Sequence, residues 1–148
     1  MTPWAHLPNA KHIDWVLASL KANPKKWDAA RDAAWDAARD AAWDAAWGAA
    51  RDAAWYAIWE AARTAALNAA RGAAYNAARG ATFNETRNAA TDAILALIAY
   101  DDCAYMIESE IGELKIIAAF GDTRAILLLP ACIAYNETKA LTKTSIAV

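Results

Sequence analysis

The chain has 148 residues, a formal net charge of −2 and two cysteines. That length is typical of one domain with a buried core, and the charge argues against a general nucleic-acid binder, whose phosphate contacts need a basic excess. Two cysteines are too few for a disulfide scaffold, and the first residues lack a secretory signal, so we expect a cytoplasmic protein.

Two helix starts are predicted before residue 27. Asn9 suits the N-cap of a first helix from Ala10 to Lys21, whose apolar residues recur at core-facing spacing. Asn23 followed by Pro24 marks a second start, because proline at the first helical position loses only a donor that would be unpaired there.

From Trp27 to Ile94 the sequence repeats every four residues, beginning WDAA RDAA WDAA RDAA. Paired alanines and the absence of proline favour helix throughout this run. A period of four advances the pattern about 40° per unit around a helix of 3.6 residues per turn, so one straight helix cannot keep its tryptophans on one side. We therefore predict two to four helices that pack side by side, with Gly48, Gly72 and Gly80 as candidate breaks.

The tryptophans of the repeat are predicted to form much of the core, because each aromatic side chain buries about 150–250 Å². An arginine four residues after a tryptophan can lie on the indole face. The same tryptophans could instead form a partner surface, since tryptophan and arginine dominate interface hot spots. Helices that pair between chains would satisfy both interpretations, so we expect a homo-oligomer.

Apolar helices are predicted after the repeat, the first from Thr91 to Glu108 and the next from Ile111 to Phe120. Gly121 is a natural residue for ending a helix, and Asp122 can cap a third helix from Thr123 to Tyr135 with a kink at Pro130. The apolar stretches are shorter than the roughly 20 residues of a membrane span, so no membrane association is expected.

These elements predict a single all-α domain over residues 1–148, a compact helical bundle or array. We divide it into an N-terminal helix at 1–22, repeat helices at 23–94, apolar helices at 95–135 and a mobile tail at 136–148.

The second half of the repeat carries the candidate ligand-binding residues. Its arginines lack the nearby aspartates of the first half, and aromatic rings alternate with them in the series Arg71, Tyr75, Arg79, Phe83 and Arg87. Arginine binds phosphate with paired contacts, and a nucleobase stacks on an aromatic ring, so these residues suit a nucleotide-like anion. Alternatively, the same arginines pair with the acidic first half across a helix contact.

No catalytic or metal-binding motif stands out elsewhere. His6 and His12 lack further metal ligands nearby, so we predict neither a metal nor a cofactor. Cys103 and Cys132 stand in apolar helices, where a buried, unreactive thiol with a raised pKa is expected. The acidic residues at 101–113 are expected to form a solvated face. We do not predict an enzyme.

The tetrads resemble those of small uncharacterised tetrad-repeat proteins of bacteria and their phages, as do the segments Trp4–Ala10, Leu97–Cys103 and Ala125–Ala131. The alanine-rich units are also similar to those of putative immunity proteins. The resemblance implies a phage or mobile-element origin and assigns no activity or site residue. We expect a non-enzymatic protein that captures a host protein or a nucleotide-like signal, in a phage counter-defence role. The alternative is an assembly scaffold built from the repeats.

Overall fold

The computed structural model describes residues 2, 4–36, 41–60, 72–77 and 87–147. Helices pack against one another throughout this part of the chain, and the predicted all-α bundle is confirmed. The elements are α1 (Ala10–Ala22), α2 (Pro24–Asp36), α3 (Ala41–Glu60), α4 (Arg87–Ala99), the 3₁₀ helix η1 (Ala104–Glu108), α5 (Ile111–Ala119) and α6 (Thr123–Ala147), with a short helical segment at 72–77.

The last helix, α6, lies at the centre of the bundle. It packs against α2, α3, α4, α5 and η1. Every residue from Ala125 to Ala134 is buried, which is the pattern of a helix covered on all sides. None of the described helices combines the length and the apolar character needed to cross a membrane.

The repeat folds back on itself, as its period predicts. The indole Nε1 of Trp47 in α3 donates a hydrogen bond of 2.8 Å to Oδ2 of Asp92 in α4. Arg51, one turn further along α3, binds the same carboxylate with its Nε at 3.0 Å and its Nη2 at 2.9 Å. Two distant parts of the repeat therefore meet side by side.

One predicted break is wrong. Gly48 lies inside α3, which continues through it to Glu60. A glycine within a helix costs only about 1 kcal/mol, which the surrounding alanines and the packing of α3 against α4 and α6 outweigh. Gly72 lies in the helical segment 72–77, and Gly80 falls outside the described residues.

The described tryptophans of the repeat belong to the core. Trp27 is fully buried and donates from Nε1 to Oγ of Ser19 at 3.0 Å, while Trp47 is 3% exposed. The guanidinium carbon of Arg51 lies 6.0 Å from the ring centroid of Trp47, as the spacing of four predicts. The side chains of Trp35, Trp43 and Trp59 lie outside the described part.

Asn9 precedes α1 as predicted, but its side chain does not cap that helix. Its Nδ2 instead donates to the backbone oxygen of Leu97 at 3.0 Å and to that of Tyr100 at 2.8 Å. These carbonyls belong to the end of α4, where the last oxygens of a helix lack partners within the helix. Asn9 therefore joins the start of α1 to the end of α4.

The prediction of one helix from Thr91 to Glu108 is wrong, because α4 ends at Ala99 and η1 follows separately. Tertiary contacts end α4 at this point. Besides Asn9, the thiol of Cys103 contacts the carbonyl oxygens of Ala96 at 3.5 Å and Tyr100 at 3.2 Å. The exposed pair Asp101 and Asp102 forms the turn before η1.

The predicted end of the third apolar helix at Tyr135 is also wrong, because α6 continues to Ala147. Polar side chains in this part have partners that are compatible with helix. Nδ2 of Asn136 donates to the backbone oxygen of Ser109 at 3.1 Å, and Oγ1 of Thr138 donates to that of Ala134 at 3.0 Å. Pro130 lies buried within α6.

Candidate protein-binding surface

Three large apolar side chains of α5 and its C-terminal end point into solvent. Phe120 is 88% exposed, Ile116 60% and Ile117 38%. We call these three residues the α5 face. Leu114 and Ala118 occupy the opposite side of the helix and are buried against the bundle. Since α5 carries more apolar residues than one buried stripe can hold, the surplus forms a surface.

The backbone fixes the position of this face. α5 ends at Ala119, and Gly121 two residues later has a φ of +88°, a conformation that favours glycine. The amide of Gly121 donates to the oxygen of Ala118 at 2.9 Å, and the amide of Asp122 donates to that of Ile117 at 3.3 Å. This pair of bonds is a Schellman ending, which confirms the predicted role of Gly121.

Asp122 completes the corner by capping α6. Its Oδ1 accepts a hydrogen bond of 3.1 Å from the amide of Ala125, as predicted for an N-cap. Burial alone would raise the pKa of this carboxyl, but the hydrogen bonds from the Ala125 amide and the Arg124 guanidinium hold its pKa below the ordinary value. Asp122 therefore remains ionised, two residues after Phe120.

The α5 face lies in the most acidic stretch of the chain. Residues 101–122 contain one lysine and six carboxylates, a formal charge of −5. Five of those carboxylates are exposed, which confirms the predicted solvated acidic face: Asp101, Asp102, Glu108, Glu110 and Glu113. Arg124 contacts Asp102 at 3.2 Å and Asp122 at 3.3 Å.

Exposed Tyr105 adds a second aromatic ring in the neighbouring η1, where it is 59% exposed. The connection from η1 to α5 is short, and Ser109 fixes it by donating from Oγ to the backbone oxygen of Tyr105 at 3.1 Å. The arrangement offers apolar contact area and carboxylates.

Only Tyr75 of the predicted anion site has a described side chain. Tyr75 is buried, and its ring centroid lies 4.2 Å from that of Trp55 in an edge-to-face arrangement. Arg71, Arg79 and Phe83 fall outside the described residues, as does the side chain of Arg87. The anion site therefore stays a prediction, with one ring packed in the core.

The two thiols have the environment predicted for them. Both cysteines are buried, and burial raises the pKa of Cys103 to about 12 and that of Cys132 to about 11. Each sulfur also contacts a backbone oxygen, that of Tyr100 for Cys103 and that of Ser109 for Cys132. Neither thiol is a nucleophile at neutral pH. Within the described ranges, no cluster of three histidines, cysteines or carboxylates could hold a metal ion.

Sequence reasoning identified α5 and the acidic residues separately and missed the surface that they form together. One signal was present: the segment from Ile111 to Phe120 has apolar residues on more than one side of a helix. Which of those residues face inward depends on how α5 packs on α6.

Comparison with known proteins gives no assignment. No match to this chain was found among protein-family models, curated proteins or solved structures.

Proposed function

We propose that this protein is a non-enzymatic binding protein that captures a partner protein on the α5 face. The observation that supports the proposal is the exposure of Phe120, at 88%, beside Ile116 on a helix end held by a fixed corner. Burying each such side chain against a partner contributes roughly 1.5–3 kcal/mol. Exposed aromatic residues on rigid elements are typical of interface anchors.

The partner is expected to present an apolar side with lysine or arginine around it. The acidic stretch 101–122 has a formal charge of −5, so a basic segment gains from charge complementarity and an acidic one is repelled. An amphipathic basic helix meets both requirements, since helices bind apolar surfaces through residues spaced one turn apart. The same charge disfavours an anionic lipid surface.

A second copy of the chain suits this face poorly. Two copies related by a twofold axis would bring two segments of charge −5 together. The predicted homo-oligomer stays a prediction and would require another surface.

The other predicted functions receive less support. An assembly scaffold would need tryptophans available to other chains, whereas Trp27 and Trp47 are buried within their own chain. The phage origin, the counter-defence role and the nucleotide-like ligand stay predictions.

Binding of designed peptides tests the proposal. Two helical peptides of equal length carry leucine at the same positions and either lysine or glutamate at all the others. In isothermal titration calorimetry, we expect the lysine peptide to bind one per chain and to weaken with added salt. Phe120→Ser should weaken this binding roughly tenfold or more, since 1.4 kcal/mol corresponds to a factor of ten. Tyr56→Ser is the matched control, because Tyr56 is 66% exposed on α3.

Several results would contradict the proposal. The glutamate peptide could bind equally well, or Tyr56→Ser could weaken binding as much as Phe120→Ser. Sedimentation could show a dimer that Phe120→Ser dissociates, in which case a second copy covers the face. Binding to uncharged phosphatidylcholine vesicles, lost in Phe120→Ser, would assign the face to lipid instead.

A further inference from the structure

The two ends of α5 present different chemistry on their exposed side. Glu113 lies in the first turn of α5, and the residues of the α5 face follow it at spacings of three, four and seven. Residues at these spacings share one side of a helix, and Glu113 is exposed like the α5 face. The amide of Phe120 donates to the oxygen of Ile116 at 3.2 Å, so the helical course extends to Phe120. This side of α5 therefore begins with a carboxylate and ends with an aromatic ring.

The carboxylates at the start of α5 are available to a partner. Glu110, the residue before the helix, and Glu113 are both exposed, and neither forms an ion pair with another residue in the described part of the chain. Lys115 is the one cation of α5. It lies two residues after Glu113, which places it about 160° away around the helix axis. A partner's cations therefore find two unpaired carboxylates at this end.

The carboxylates at the other end already have partners. Asp122 accepts a hydrogen bond from the amide of Ala125 and contacts Arg124 at 3.3 Å. Arg124 also contacts Asp102 at 3.2 Å. A partner's cation would have to displace Arg124 to bind either of these carboxylates, so the end of α5 near Phe120 favours apolar contact.

Helix dipoles decide the direction of a partner helix. Its cations can reach Glu110 and Glu113 from its C-terminal half if it runs antiparallel to α5, or from its N-terminal half if it runs parallel. Positive side chains stabilise the C-terminal end of a helix and destabilise the N-terminal end. An antiparallel arrangement also places each end of α5 beside the opposite dipole end of the partner. Both effects favour the antiparallel direction.

We infer that the partner helix lies antiparallel to α5, with its basic residues in its C-terminal half at Glu110 and Glu113 and its apolar side on the α5 face. This inference rests on the proposed function and adds the direction of the partner and the distribution of its charge. Glu113 and Phe120 are about 10 Å apart along the helix axis. The basic residues of the partner should therefore begin about two turns after the residue that covers Phe120.

Two peptides of identical composition test the inference. Both are helical and carry leucine at the same positions, and their lysines are confined either to the C-terminal or to the N-terminal half, with glutamine in the other half. In isothermal titration calorimetry, the peptide with C-terminal lysines should bind roughly fivefold more tightly, since two exposed ion pairs each contribute a factor of up to about five. Glu113→Gln should weaken its binding about two- to fivefold. Asp52→Asn, at an exposed position on α3, should leave it unchanged.

The direction is read from glycine amides. In protein labelled with ¹⁵N-glycine, Gly112 and Gly121 report on opposite ends of α5, about 13 Å apart along the axis, and Gly48 on α3 is the control. A nitroxide on the C-terminus of the peptide with C-terminal lysines should broaden the amide signal of Gly112 more than that of Gly121. A nitroxide on its N-terminus should reverse the order, and Gly48 should not change.

Failure of the inference can be told apart from failure of the proposed function. If the C-terminal nitroxide broadens Gly121 as much as Gly112 or more, while Phe120→Ser still weakens binding, the antiparallel direction is overturned and the proposed function stands. Equal affinity of the two peptides would overturn the assigned distribution of charge in the same way. If neither peptide binds in a saturable way, the proposed function and this inference both fail.

Discussion

Several single residues make contacts or adopt conformations that the repetitive sequence does not predict. Asp92 is the clearest case, since one buried carboxylate accepts hydrogen bonds from both Trp47 and Arg51. Two glycines, Gly48 and Gly121, differ in backbone conformation. Gly48 lies within α3, with no atom within 4 Å of where a Cβ would stand, whereas Gly121 adopts a φ of +88° at the end of α5.

The two glycines should therefore respond in opposite directions to alanine. Gly48→Ala should raise the free energy of unfolding by about 1 kcal/mol, because alanine is the better helix former and the added methyl meets no neighbour. Gly121→Ala should lower it by roughly 1–2 kcal/mol, because the left-handed conformation strains a residue with a Cβ. Urea denaturation measures both. A loss of stability in Gly48→Ala would contradict the continuous helix at α3.

Among the elements, sequence patterns located four helix starts but missed the start of α4, which is at Arg87 and not at Thr91. Ala10, Pro24, Ile111 and Thr123 begin helices as predicted, because proline and apolar spacing act locally and Asp122 caps the last of these helices. The ends of α4 and α6 depend on distant groups. Asn9, far away in sequence, binds the last carbonyls of α4, and Asn136 binds Ser109 while α6 continues past it.

This contact between elements predicts a stability effect for Asn9. Asn9→Ala should lower the free energy of unfolding by about 1–3 kcal/mol, because the oxygen of Leu97 is left buried without this donor. Asn76→Ala is the matched control, since the Asn76 side chain is exposed and a surface change of this kind has an effect within about 0.5 kcal/mol. Equal effects in urea denaturation would mean that Asn9 does not hold the end of α4.

In the whole molecule, the Trp47–Arg51–Asp92 group joins distant parts of the repeat, and it makes stability depend on pH. Burial raises the pKa of Asp92 above its ordinary value of 3.8, against the opposing effects of Arg51 and Trp47. The folded chain therefore binds a proton on the Asp92 carboxyl group more tightly than the unfolded chain does. The sign follows by linkage: the contribution of Asp92 to stability is fully present below pH 3.8 and is lost as the pH rises through the raised value.

Replacing Asp92 by asparagine tests this dependence. The asparagine side chain would keep a carbonyl acceptor for the indole of Trp47 and would not titrate. Measured by urea denaturation across pH, the stability of Asp92→Asn relative to the wild type should rise as the pH increases from about 3.8. Asp52→Asn, at an exposed position next to Arg51, is the control. The same slope in both variants would show that Asp92 is not its source.

The sequence by itself determined that the chain is helical and that its repeat must fold back. Alanine sets the local conformation, and a period of four cannot stay on one side of a helix with 3.6 residues per turn. Only the tertiary structure decided which apolar residues remain uncovered. Leu114 and Phe120 belong to the same apolar segment, yet packing on α6 buries the first and the corner at Gly121 leaves the second in solvent. Burial depends on neighbours that are distant in sequence, and local pattern does not encode their positions.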